Sequence, residues 1–389
     1  MTNPMRQALR DESSTEHRSD YQLHVVTARD LETLAETHPM LVGSGKPFGS
    51  ASYADAPAYA WNYPCFFYLT DAEGNIAAYT RAFPDELLAH EKRYPWTWTG
   101  DLYTDPKFRG RGVATELQRR STAWLHERAI GRGSVFSIDT TLHIYQKIGS
   151  TVVGFAPRFL TLKSARPLLA AHLSAGWALP LGRLTQPLVS AVARAKWTVT
   201  RTLQRTNRPL LRCVDWTSEL ASGSEFPLVK SQLPFQFDER REQLAWKTRL
   251  ANANRTNQCS LYLLVDEHDV PQAFLVARLK QQKTPLAGKY QDFELFTLMH
   301  YGLFRNDQTL YASIVDWMMK LFWQSSAEVL EVIANEPPLV EQLQLAGLLR
   351  VGRGMSFTVA LPSIWGEPPG WNQLANWPLT HFRGDAFSF

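Results

Sequence analysis

The chain repeats its own pattern. "CFFYLTDAEGNIAAYTRAF", from Cys65, is echoed by "CSLYLLVDEHDVPQAFLVARL", from Cys259. Each is an apolar run, an acidic turn and a second apolar run, which predicts a β-hairpin; Asp71, Glu73, Gly74 and Asn75 supply the first turn. The segments after each hairpin recur in the same order. "WTWTGDLYT" and "FELFTLMHYG" read as strands, and "VATELQRRSTAWLHERA" and "LYASIVDWMMKLFWQ" as helices. In the first of these helices Val113, Leu117, Trp124 and Leu125 share a face, and Gly131 is placed as a C-cap. "SVFSID" and "AEVLEVIA" are short strands. "LHIYQKIGSTVVGFAPRFLTL" and "LQLAGLLRVGRGMSFTVAL" each give a helix and closing strands. This order implies two copies of one αβ fold.

With 389 residues and 44% hydrophobic content, two cores can be built. We divide the chain into a polar tail (1–20), a first domain (21–165), a helical linker (166–212) and a second domain (213–389). "YQLHVVTA" opens the first domain as a strand and "RDLETLAETH" continues it as a helix. The tail lacks the apolar core of a signal peptide. No run of about 18 apolar residues offers a membrane span. Pro167 to Leu203 is apolar with bases interleaved. It reads either as an amphipathic segment at a membrane surface or as a linker packed on both domains. Pro180 and Pro187 should break it into short pieces, which favours the linker.

The net charge of +4 makes no case for nucleic acid. Cys65, Cys213 and Cys259 are odd in number and far apart, which suits reduced thiols in the cytoplasm. No metal-type spacing of Cys or His exists, so no metal is expected.

"KFRGRGVATEL" (107–117) runs a turn of two glycines and two arginines into a helix. The first amides of a helix are unpaired and its N-terminus is partly positive. Gly110 and Gly112 let the backbone bend and let an anion approach, and Arg109 and Arg111 add charge. A diphosphate suits such a cradle; a plain strand–helix connection with solvated arginines would look the same. A P-loop is excluded because no Gly-Lys-Ser/Thr ends the turn. A dinucleotide fingerprint is excluded because Thr115 stands where its third glycine would.

Arg109-Gly110-Arg111-Gly112-Val113-Ala114 resembles the Q/R-x-x-G-x-G/A motif of the GCN5-related N-acetyltransferases (GNAT superfamily). "LHIYQKIGSTVVGF" is similar to its "YxKxGF" segment, with Tyr145, Lys147 and Gly149 in place and Ser150 replacing Phe. The resemblance covers residues 21–165. It implies an α/β (α+β) fold of two tandem GNAT-like domains, each a mixed, mostly antiparallel sheet flanked by helices. It implies acetyl-CoA or another acyl-CoA as co-substrate. The diphosphate would lie on the amides of Arg111, Gly112, Val113 and Ala114, and the pantetheine arm along Leu102, Tyr103 and Thr104. Tyr145 matches the frequent general acid, and its alternative is a core tyrosine with a bonded hydroxyl. For a base, Asp101 comes first and Asp105 and Asp139 after it; each also suits a turn or cap, and an ordered water serves equally.

The second copy has "YGLFRNDQTLY" in place of the glycine turn, so it should not bind acyl-CoA. Arg241, Leu244, Trp246 and Lys247, with Trp377, Leu379, Thr380, Gly384 and Asp385, resemble segments of tandem acetyltransferase-like proteins from bacterial polysaccharide and cell-envelope gene clusters; Phe387 departs from that pattern. Trp377 and Asp385, beside His381 and Arg383, read as an acceptor surface or as a docked tail. A cleft between the two copies is a natural acceptor site. The function expected is transfer of an acyl group, acetyl first, to a primary amine of a small acceptor such as an amino sugar or amino-acid derivative. The rivals are a transferase acting on protein lysine or N-terminal amines, and a non-catalytic coenzyme A-binding scaffold.

Overall fold

The computed structural model describes residues 20–31, 33, 58–90, 92–136, 139–167, 169, 175–203, 209–222, 233–237, 239–252, 257–286 and 289–381. Residues 1–19 of the N-terminal tail and six of the ten residues of the helix expected at "RDLETLAETH" lie outside them.

The first half supplies β1 (Gln22–Thr27), β2 (Pro64–Thr70), β3 (Ile76–Ala89), β4 (Lys92–Thr104), α1 (Val113–Glu127), β5 (Gly131–Phe136), α2 (Asp139–Lys147), β6 (Thr151–Ala156) and β7 (Arg158–Leu162). Helix α3 (Ala175–Leu203) leads to the second half. That half supplies β8 (Arg212–Asp215), α4 (Thr217–Ser222), β9 (Phe235–Phe237), α5 (Arg241–Asn252), β10 (Asn257–Val265), β11 (Pro271–Leu286) and β12 (Lys289–Leu303). It ends with α6 (Leu310–Gln324), β13 (Val329–Ile333), α7 (Pro337–Leu345), β14 (Leu349–Arg350) and β15 (Met355–Ala360). The two hairpins turn by the same device. Asp71 Oδ1 accepts the amides of Glu73 and Asn75, and Asp266 Oδ1 accepts those of His268 and Val270.

The strands form two sheets of the expected mixed kind. One runs β1-β2-β3-β4-β5-β15-β6, with β9 on the far end of β3; the other runs β14-β7-β13-β12-β11-β10-β8. Among the described residues only β4/β5 and β12/β13 pair in parallel. Each half was expected to close with its own last strand, and the structure exchanges them. β7 lies between β13 and β14 of the second sheet, and β15 between β5 and β6 of the first. The physical reason begins at Pro157, the single residue between β6 and β7. One residue cannot make a hairpin loop, so the chain runs on into the other sheet.

Two further expectations are corrected. Pro180 and Pro187 do not break the linker: α3 is one helix of 29 residues with both prolines inside. Their rings are exposed, so the carbonyls they leave unpaired can bond water rather than lie orphaned in a core. Gly131 is not a cap. Ala129 takes the left-handed turn after α1 while Ile130 N donates to Leu125 O. Gly131 lies in β5, where an added Cβ would meet the rings of Trp365 and Trp96 at 2.5–2.7 Å.

The faces that the two sheets turn to each other share one apolar core. It holds Trp96, Trp98 and Phe357 of the first sheet, Phe274 and Met299 of the second, and Phe237, Trp246 and Trp377. The contact over these residues is therefore packed side chains, not the open cleft expected there. Buried Lys247 of α5 adds an ion pair across the halves, 2.8 Å from Asp85 of β3, which also accepts Trp98 Nε1 at 3.0 Å. A second core lies under α6 and α7, and Trp197 of α3 enters it. The three cysteines are free thiols.

Candidate active site

β4 and β5 pair in parallel only at Trp96↔Gly131, Thr97↔Arg132 and Trp98↔Gly133. β4 runs on to Thr104 and β5 to Phe136, so beyond Trp98 the two strands part. A bulge sits on β4 within this fork: Asp101 and Leu102 together oppose Thr80 of β3. Asp101 takes φ +51° to do so, and such a bulge bends its strand. Its carboxylate is buried 3.1 Å from the Arg81 guanidinium, which supports the bulge from beneath. Leu102, Tyr103 and Thr104 come next, half-buried on the free stretch of β4.

The chain then reaches the glycine turn. Asp105 accepts Lys107 N at 2.9 Å and so starts a turn of 3-10 helix. Gly110 and Gly112 have φ +77° and +75°, with nothing within 4 Å of where a Cβ would stand. Gly112 is the N-cap of α1, and no side chain caps this helix. Arg109, Gly110, Arg111 and Gly112 are exposed. Arg109 Nε donates to Thr104 O at 3.2 Å, and Arg111 lies over the Phe108 ring. Val113 is buried in a core under α1 and Ala114 is half-buried. The helix thus points free amides and two arginines outward from the end of the open strand.

Tyr145 reaches the root of the same fork from α2. Its hydroxyl meets Thr99 Oγ1 at 3.1 Å, accepts from Ser134 Oγ at 2.8 Å and accepts from Arg132 Nη2 at 3.0 Å. Its ring stacks on Phe136 with centroids 5.1 Å apart. Arg132 is 1% exposed and Tyr145 is 3%. The other donors of Arg132 go to Thr99 Oγ1 at 3.0 Å, the Gln118 carbonyl at 3.2 Å, Ser121 Oγ at 3.4 Å, and the side chains of Thr122 and Gln118. Among the described residues no carboxylate pairs with it. Its field is felt nearby: burial and then the Arg132 charge hold His126 below the usual histidine range.

The sequence-predicted residues thus divide. Tyr145, Leu102–Thr104 and the Arg109–Ala114 turn converge on one fork. Asp101 is there too, but bound to Arg81. Asp139 is exposed on α2. Trp377 is not a surface: it is fully buried, stacked on Phe235 at 4.5 Å, with Nε1 bonded to Trp371 O. Asp385 lies outside the described residues. Sequence reasoning missed Arg132. Its signal was an arginine inside the short strand "GRGSVF", whose every residue is buried.

The second copy differs at each of these places. Gly100 precedes the bulge of β4 and Leu298 the equivalent one of β12. β4 loses its parallel partner two residues earlier, whereas β12 stays paired through Leu298↔Val332. Where that fork would open, the C-terminal segment is bound. Asn335 donates to Leu374 O and Trp377 O at 2.8 and 2.7 Å and accepts Leu379 N at 3.0 Å, and His300 bonds Thr380 at 3.1 Å. At the start of α6 a carboxylate of the chain itself, Asp307, takes the Thr309 amide at 3.0 Å.

Residues 30–149 match the acetyltransferase (GNAT) family. No curated protein matches the chain. The fold is similar to that of Saccharomyces cerevisiae N-myristoyltransferase with bound myristoyl-CoA, at 12% identity over 90% of this chain and 83% of that one, TM-score 0.51. It is also similar to that of a protein from Enterococcus faecalis V583, at 9% identity over 88% and 73%, TM-score 0.50. A GCN5-related N-acetyltransferase from Anabaena variabilis ATCC 29413 aligns at 12% identity over 88% and 73%, TM-score 0.48. At such identities the likeness to the first two is one of fold alone.

Proposed function

Because residues 30–149 match the acetyltransferase (GNAT) family, we propose that the chain is an acyl-CoA-dependent N-acyltransferase whose chemistry lies in the first sheet. One observation carries the reading: the open glycine turn and the Tyr145 hydroxyl lie at the mouth and root of the same strand fork.

The residues present fit an acyl-CoA. Space is free at both glycines, the helix start has no side-chain cap, and two exposed arginines flank it. The amides of Arg111, Gly112, Val113 and Ala114 would hold the diphosphate, and the free stretch of β4 at Leu102–Thr104 would pair with the amide-bearing arm. When bound, the co-substrate supplies an acyl group activated as a thioester. Tyr145 holds a proton at its hydroxyl for the sulfur that departs. Arg132 stabilises the negative charge that develops beside that hydroxyl, and burial makes its charge count. Asp101 keeps the bulge in place through Arg81, and the proton of the amine passes to water.

The acceptor is a primary amine on a small molecule, such as an amino sugar or amino-acid derivative. What supports a compact acceptor is the apolar core that joins the halves beside Trp98, at the root of the fork. Thiol release from acetyl-CoA over a panel of amino sugars, amino acids and a lysine peptide tests this. Release with a small amine supports the reading. Release with the peptide alone favours a protein substrate, and acetyl-CoA binding without release for any amine favours a scaffold.

A further inference from the structure

Helix α3 carries a line of exposed aliphatic side chains. Leu184, Leu188, Val192 and Val199 are spaced by four, four and seven residues, so they share one face. All are between 59% and 77% exposed. The opposite face is already packed: Trp197 is buried, Ser190 Oγ donates to Lys163 O at 2.6 Å, and Thr200 Oγ1 donates to Leu345 O at 2.7 Å. The stripe is therefore not the core face of a helix that lacks its sheet. Apolar surface arranged in this way marks a place of contact.

The charge that α3 carries is of one sign. α3 contains Arg183, Arg194, Lys196 and Arg201 and no Asp or Glu. The acid-free run extends from Thr140 to Val214, where the average composition of the chain would place about seven acids. At 100° per residue, exposed Lys196 stands beside the stripe and exposed Arg194 lies on its other side, over the Trp323 ring, while Arg183 lies nearer the packed face. Arg201 turns inward to Asp316 at 3.2 Å.

We propose that this face of α3 docks on an anionic membrane surface, with the helix lying in the plane of the headgroups. The aliphatic line enters the acyl boundary and the flanking bases meet lipid phosphates. A second copy of the chain fits less well, because pairing α3 with itself would oppose these bases with no acid on either helix. Spanning is not involved, since among the described residues no helix is long and apolar enough to cross a membrane. The inference is independent of the acyltransferase reading.

The test is co-sedimentation of the full chain with vesicles of phosphatidylcholine alone and of equimolar phosphatidylcholine and phosphatidylglycerol. Binding is expected to the anionic vesicles only and should weaken with salt. Leu184→Ser with Leu188→Ser should weaken it about tenfold or more while the melting temperature stays that of the wild type. If that variant folds poorly, Val199→Thr is read in the same way. Absent binding to anionic vesicles, or equal binding by wild type and variant, would overturn the proposal. So would a dimer in light scattering that the leucine variant dissociates, which would give the stripe to a second copy.

Discussion

The guanidinium of Arg132 donates to the hydroxyl of Tyr145 across 3.0 Å, with both side chains buried where β4 and β5 part. A phenol so held cannot wander from the root of the fork. If it gives its proton to the departing sulfur, Tyr145→Phe should lower kcat by roughly 10²–10⁴-fold with little change in KM for acetyl-CoA. Steady-state kinetics decide this. A variant that melts earlier but turns over at the wild-type rate would make Tyr145 structural.

Arg132 makes a separate prediction. A buried cation is costly, and among the described residues only neutral groups accept from it. Its charge is then available to an anion forming beside Tyr145. Arg132→Gln keeps hydrogen-bonding capacity and removes the charge. We expect kcat to fall about 10²-fold or more while acetyl-CoA affinity stays within a few-fold. Calorimetry beside kinetics separates the two, and equal losses in both would mean that Arg132 merely builds the fork.

The exchanged strands bear on how the chain can be divided. A fragment of residues 1–165 lacks β15, leaving β5 and β6 without the strand that joins them. It also carries β7, whose partners β13 and β14 are absent. Exposed sheet edges of this kind invite aggregation. The fragment should be insoluble or unfolded by circular dichroism, and co-expression with residues 166–389 should rescue it. A soluble, cooperatively melting fragment would contradict the exchange.

The seam between β7 and β13 should also be acid-sensitive. Arg158 of β7 grips Glu331 of β13 with two bonds, of 2.6 and 3.0 Å. Burial alone would push the Glu331 carboxyl up, but His381 and Arg158 outweigh it and hold the group below the usual carboxylate range. The stabilisation is therefore present above the ordinary Glu value near 4.5 and is lost as pH falls through the lowered folded value. Glu331→Gln should cost about 1–3 kcal/mol near neutrality, less at high salt because Arg158 is partly exposed. The gap in melting temperature between variant and wild type should close as pH drops below about 4. A gap independent of pH would assign the loss to packing.

Much of this was legible in local pattern. The hairpins were, because Asp71 and Asp266 write their turns in a few adjacent residues. The glycine turn was, because positive φ at Gly110 and Gly112 selects the residue type. The exchange of β7 and β15 was not, since a strand has the same alternation whichever sheet it joins; only Pro157, alone between two strands, hints at it. Arg132 stayed hidden because its partners come from positions 99, 118, 121, 122 and 145. Pro180 and Pro187 misled because their effect depends on which side of α3 faces solvent. Trp377 misled because an aromatic beside polar residues describes a docked tail as well as a binding surface.

The central claim is that one acyl-CoA binds per chain, on the Arg109–Ala114 turn, and none in the second copy. Titration calorimetry with acetyl-CoA tests it on the wild type and on Gly112→Asp. Space at Gly112 is open, so the aspartate costs only the strain of its left-handed backbone, about 1–2 kcal/mol. Its carboxylate would stand where a diphosphate belongs. The account predicts a stoichiometry of one for the wild type and at least a hundredfold weaker binding for a folded Gly112→Asp chain. Two sites per wild-type chain, or binding that survives the substitution, would contradict it.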